Sequence, residues 1–152
     1  MTITEAKKFG RSKTMKATTI VLAILIALLL ISETRGDFAN GILFFLQEVF
    51  DVNSIIILCI LFGLTYLFGS YAGQEIILKR RMFLLVSLKY VFIISLAITA
   101  YTVMLGIFRE GWIAGQPLLK TFFLPLFFKI FFCLLLGWLW ATNKMRAFNK
   151  IT

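Results

Sequence analysis

Residues 122–141, FFLPLFFKIFFCLLLGWLWA, decide how this chain is read. At about 1.5 Å per residue a helix of this length spans about 30 Å, the thickness of a bilayer's hydrocarbon core. The run holds one charge, Lys129, and no acid. A lone ammonium near the bilayer midplane costs roughly 2.5–3.5 kcal/mol on insertion scales. Something must offset it: an acidic partner, a watered cavity, an anionic ligand, or a route for the side chain to the interface. Lys129 lies nine residues after Lys120, so both interfaces are distant. Pro125, one turn earlier, removes the hydrogen bond to the Thr121 carbonyl and is expected to kink the helix beside the charge.

Composition agrees with a membrane solvent. Of 152 residues, 61% are hydrophobic and 15% charged, with a mean hydropathy of +0.95. Soluble domains hold about 45–50% apolar and about 25% charged residues. Net charge is +9. The bases cluster at the ends of apolar runs, which reads as membrane orientation and lipid contact rather than nucleic-acid binding.

The resulting expectation is an all-α integral membrane protein with four transmembrane helices in one membrane domain. A basic tail covers 1–16, and the first span covers 17–32. A basic start before an apolar stretch resembles a signal peptide, but no small-x-small cleavage site follows, so it reads as a retained helix. Residues 40–52 place Asn40, Gln47, Glu48 and Asp51 on one side and Ile42, Phe45, Leu46, Val49 and Phe50 on the other, an interfacial amphipathic helix. The second span covers 54–72, with small residues (Gly63, Gly69, Ser70, Ala72, Gly73) that permit close helix contact. The third covers 82–105, the fourth 118–141, and a second basic tail 142–152. Gly106 to Pro117 reads as a turn region, with Trp112 as an interface anchor.

Charge sets the expected orientation. Of 16 Lys and Arg, 11 fall in the two tails and the 74–81 loop, three on the other side and two within spans. Both termini are then cytoplasmic, and a bacterial inner or plasma membrane is the expected location. Glu33, Asp37, Glu48, Asp51 and Glu110 partition to the opposite, outer side.

The chain contains no histidine, which excludes histidine-ligated haem and removes the usual metal ligand. Cys59 and Cys133 lie in apolar runs, without Cys-x-x-Cys spacing, and read as small buried hydrophobes. No phosphate loop, metal motif or facing acid pair occurs, so no cofactor, no metal and no catalytic residue is expected. Glu48 and Asp51 read as a solvated acidic face. Lys79, Arg80, Arg81, Lys144 and Arg146 read as contacts to anionic lipid of the inner leaflet or to a partner.

Lys129 and Lys89 remain as intramembrane charges. Lys89, about two turns inside its helix, is near enough to the inner interface to snorkel back. Two functions compete. One is a non-enzymatic subunit that assembles with other integral membrane proteins, its lysines pairing with acidic groups or lipid. The other is a small oligomeric channel or transporter, a homo-oligomer with Lys129 lining an anion-attracting path.

Overall fold

The computed structural model describes residues 2–33, 51–110 and 123–150, together with Ile42 and Gln47. They form four long helices: α1 (Ile3–Glu33), α2 (Val52–Ile77), α3 (Phe83–Glu110) and α4 (Phe123–Asn149). Three of these, α2, α3 and α4, are long and apolar enough to cross a membrane. The chain is an all-helical membrane protein in that sense.

α1 begins earlier than its apolar run. Thr2 and Glu5 cap it reciprocally: the Thr2 N–H donates to Glu5 Oε2 (2.7 Å) and the Glu5 N–H to Thr2 Oγ1 (3.3 Å). The segment expected as a basic tail, 1–16, is therefore helical from Ile3 onward. Its Lys, Arg, Ala and Met residues are good helix formers, and no proline interrupts them. The second basic tail, 142–152, is likewise helical through Asn149. α4 runs on through Ala141 to Asn149, because Thr142 and Met145 are fully buried and Phe148 stacks on Phe9 at 4.5 Å. α2 extends the second span to Ile77 and α3 extends the third to Glu110, which shortens the expected 74–81 loop. The start expected for the fourth span, 118–122, lies outside the described residues. So does nearly all of the interfacial helix expected over 40–52, with Glu48, and so does Trp112.

The helices pack antiparallel. α1 lies against α2 and α4, and α3 lies against the same two from the other side. The core gathers Leu61, Ile76, Val91, Ile94, Leu134 and Trp138. Polarity is distributed as a bilayer requires and opposite to a soluble bundle. Thr14, Thr18, Thr65, Ser87, Ser95, Thr99 and Thr142 are at most 1% exposed, whereas Leu28, Leu67 and Leu136 are 54–71% exposed. Most of these hydroxyls return to a carbonyl one turn back, as Thr99 does to Ser95 (2.7 Å) and Thr142 to Trp138 (2.7 Å). Cys59 is exposed on the apolar outer face of α2, not buried as its sequence setting implied.

Two glycines govern the α1–α2 contact. A Cβ on Gly10 would fall 2.5 Å from both the Gly69 carbonyl oxygen and the Gly73 Cα, and one on Gly73 would meet backbone of Ala6 and Gly10. Only residues without a side chain allow this approach. The bundle's basic end results from it, because the polar half of α1 is drawn alongside the last turns of α2.

Gly10→Ala and Gly73→Ala are each expected to cost about 1–3 kcal/mol by overpacking against backbone. Gly63, with nothing within 4 Å of its Cβ position, should accept alanine with no loss or a gain of up to about 1 kcal/mol. Thermal unfolding in mild detergent separates these outcomes. A second expectation concerns the α1 N-terminus. The Thr2 backbone N–H, then its hydroxyl, hold the Glu5 carboxyl below its ordinary range. The folded state thus binds that proton less readily. The cap is complete above about pH 4.3 and fades as pH falls below it, which amide exchange of residues 3–6 would register.

Candidate functional site

The densest polar arrangement is the corner between α2 and α3. α2 ends at Leu78, whose N–H returns to the Gln74 carbonyl (3.0 Å). Arg80 adopts left-handed backbone (φ 48°), and the Arg81 N–H then reaches the Glu75 carbonyl oxygen (3.1 Å). A non-glycine residue in this region is strained by about 1 kcal/mol or more, so the surrounding turn holds it there.

Glu75 organises this corner. Its Oε1 accepts from Lys89 Nζ (3.0 Å) and from the Tyr90 hydroxyl (2.7 Å), and its Oε2 faces Arg81 Nη1 at 3.5 Å. The Glu75 side chain is 13% exposed, whereas those of Lys89 and Arg81 are 50% and 59% exposed. Helical side chains lean toward their own N-termini. Glu75 therefore leans away from the corner and Lys89 leans toward it, which brings them level although 14 residues separate them. A crevice of about 280 Å³ opens beside them, bounded by Glu75, Arg81, Met82, Leu85, Val86 and Lys89.

Lys89 thus leans back toward the corner, the direction a snorkelling side chain takes, and meets a partner within the chain. Its counter-ion is Glu75, and its Nζ also lies 4.7 Å from the Tyr90 ring centroid. Sequence reasoning passed over Glu75 because it sits beyond the apolar stretch of its helix. The available signal was its position as the one acid near the α2–α3 corner, within helical reach of Lys89 once side-chain lean is counted.

A second cation is satisfied differently. Arg11, on the polar half of α1, lies with its guanidinium 3.8 Å from the Tyr66 ring centroid; its Nε donates to Ser70 Oγ (3.1 Å) and its Nη1 to the Tyr66 hydroxyl. The sequence reading assigned Arg11 to a tail and so missed this contact. The four-residue spacing Gly69-x-x-x-Gly73 beside Ser70 was the signal that a helix docks there.

Lys129 is the third case. It is exposed on the outer surface of α4 and, among the described residues, makes no hydrogen bond or ion pair. It borders an apolar crevice of about 230 Å³ whose other walls are Leu25, Ile57, Leu61, Ile98, Ile130, Cys133 and Leu134. Pro125 sits in the first turn of α4 as described, where a missing N–H is tolerated. Thr121, whose carbonyl the expected kink would free, lies outside the described residues.

Asp51 caps α2, its Oδ2 accepting from the Asn53 N–H (3.1 Å) and Asn53 Nδ2 (2.7 Å). The Asn53 side-chain and backbone donors hold its carboxyl below the ordinary aspartate range. Asp51 is thus a helix cap in addition to an exposed acid. Of the basic residues expected at the interface, Arg80, Arg81 and Arg146 gather around one pocket at the corner, joined by Lys150, whereas Lys79 and Lys144 are exposed outside it. No three of His, Cys, Asp and Glu come together in a metal-holding group among the described residues. Comparison with protein-family models, curated proteins and solved structures found no match to this chain.

Replacing Glu75 with Gln should cost about 1–2 kcal/mol, because both cationic partners are half exposed and solvent screens part of the pair. Tyr90→Phe should cost about 1 kcal/mol. A double-mutant cycle in detergent should return less than the sum of the two, since both changes break the same hydrogen bond.

Proposed function

We propose that this protein is a non-enzymatic integral membrane subunit that assembles with other membrane proteins. The observation that carries this reading is Lys129: an exposed ammonium on the outer face of α4, beside an apolar crevice, without a partner among the described residues. Lys89 and Arg11 find their partners inside the chain. Lys129 does not among the described residues, and the insertion penalty of roughly 2.5–3.5 kcal/mol is offset when an acidic side chain of a neighbouring helix docks against it. The crevice beside it accepts an apolar side chain from that helix.

In this reading the run 17–32 within α1 is the fourth span, and the basic end of the bundle faces the cytoplasm with both termini. Glu48 and Asp51 belong to the outer surface. The location is a bacterial inner or plasma membrane, with anionic lipid at the basic residues.

A second reading is a homo-oligomeric channel or transporter. Lys129 borders a small apolar crevice between the four helices and is exposed, so several copies would have to gather around it before it lined a path. Purification of the tagged chain from its native membrane in mild detergent, with native mass measurement, separates the two. Different proteins in fixed ratio support the subunit; copies of this chain alone sink it in favour of the channel.

Lys129→Leu is expected to leave the isolated chain as stable as before, or to stabilise it by up to about 3 kcal/mol, because the insertion penalty is removed. The same change should reduce recovery of the partner at least tenfold. Undiminished recovery together with altered ion flux in liposomes would transfer support to the channel.

A further inference from the structure

We infer that the α2–α3 corner is a binding site for the headgroup of a phospholipid carrying two phosphates. The pocket there holds about 320 Å³ and is lined by four cations, Arg80, Arg81, Arg146 and Lys150, over a floor that includes Ile76 and Phe83. No carboxylate lines it. Arg81 shares Glu75 at 3.5 Å, but Glu75 already receives Lys89 and Tyr90, and so neutralises little of the pocket. Three further cations, Arg80 from the turn and Arg146 and Lys150 from the end of α4, therefore converge without a counter-ion among the described residues of the site.

Three features make this a built pocket and not a diffuse basic surface. Arg80 is held at φ 48°, a conformation that costs a non-glycine residue free energy and fixes where its side chain departs. The Arg146 guanidinium lies 5.4 Å from the Phe83 ring centroid, which restricts it from the α4 side. The pocket also lies at the start of α3, where the first N–H groups lack intrahelical partners, and Met82 ahead of them has no side-chain oxygen to cap them.

The occupant is a lipid because of what borders the pocket. Met82 and Leu84 line it and are 70% and 46% exposed, and Leu85 beside them is 61% exposed. These side chains continue the apolar outer face of α3, so a headgroup seated among the cations can lay its acyl chains along that face. A free anion would leave this apolar rim in water. Basic pockets between transmembrane helices hold two-phosphate headgroups in this manner.

Native mass spectrometry of the full chain in mild detergent tests this, with diphosphatidylglycerol, phosphatidylglycerol and phosphatidylethanolamine added in turn. Retention is expected in that order. Arg146→Gln with Lys150→Gln should weaken diphosphatidylglycerol binding about 25-fold, at roughly fivefold per cation. Arg80→Gly should weaken it about fivefold while preserving or raising the melting temperature, since glycine is at ease in left-handed backbone. Lys8→Gln with Lys16→Gln, an equal loss of charge outside the pocket, should change it less than twofold. The proposal is overturned if this control weakens binding as much as the pocket variants do. It is equally overturned if phosphatidylethanolamine is retained as well, or if inorganic phosphate binds with the same dependence on Arg80 while no lipid is retained.

Discussion

The contact on which the rest of this bundle depends is the backbone-to-backbone approach of α1 and α2 at Gly10, Gly69 and Gly73. In a bilayer, burying an apolar side chain against another helix gains little over burying it in lipid, so helices associate through close van der Waals packing. That packing needs small residues on both sides, and Ala6, Gly10, Thr14 and Thr18 supply it on α1 against Thr65, Gly69 and Gly73 on α2. The seam lies toward the basic end. It therefore fixes α1 by its polar half and carries Lys7, Arg11 and Lys13 onto the flank of the bundle, where each lies over an aromatic ring. Without that contact the basic residues would have no reason to sit at a defined depth.

Three cations along the helices show three ways of meeting the same penalty. Lys89 bends back toward the corner and meets Glu75, a carboxylate that Tyr90 also holds. Arg11 has no carboxylate; a phenol ring, its hydroxyl and a serine serve instead, which suits guanidinium because it is planar and weakly hydrated. Lys129 has neither. Its ammonium is compact and strongly hydrated, its surroundings on α4 are Phe127, Phe128, Ile130 and Phe132, and it is the deepest of the three. A charge solved inside the chain is accounted for by folding. The proposed partner helix would account for the one that the described residues leave open.

The apolar lengths of α2, α3 and α4 are legible in the sequence because the bilayer imposes one strong requirement, some twenty residues without charge. The helical state of residues 3–16 and 142–149 is not, because hydropathy reports solvent and says nothing of backbone conformation. Lys, Arg and Met are read as a tail by the first measure and as helix formers by propensity. Capping at Thr2 and Glu5 and the four-residue spacing of Gly69 and Gly73 were the local signals that could have decided it. For the site, Lys89 and Lys129 stand out as charges in apolar runs. Glu75 does not, because a carboxylate just past the end of a span is ordinary, and its importance arises only when a short corner folds α3 back beside it. The basic pocket is hidden for the same reason: Arg80, Arg146 and Lys150 come together by tertiary packing and not by spacing.

Charge balance at the basic end is the physical ground for the proposed lipid site. Among the described residues that end carries two carboxylates, Glu5 and Glu75. Glu5 is occupied with the N-terminal amide of α1, and Glu75 with Lys89, Tyr90 and Arg81. The lysines and arginines of the α1 flank, the α2–α3 corner and the end of α4 far outnumber them. Cations so close together repel one another, and that repulsion opposes the very packing that gathers them. Aromatic rings relieve part of it by accepting a cation on their faces, but each contributes only about 0.5–1 kcal/mol at an exposed site. A phosphate at the proposed site would bring a full negative charge to the same place. In the proposed site anionic lipid would act as a counter-ion that allows the basic end to close, rather than only as a solvent that surrounds it.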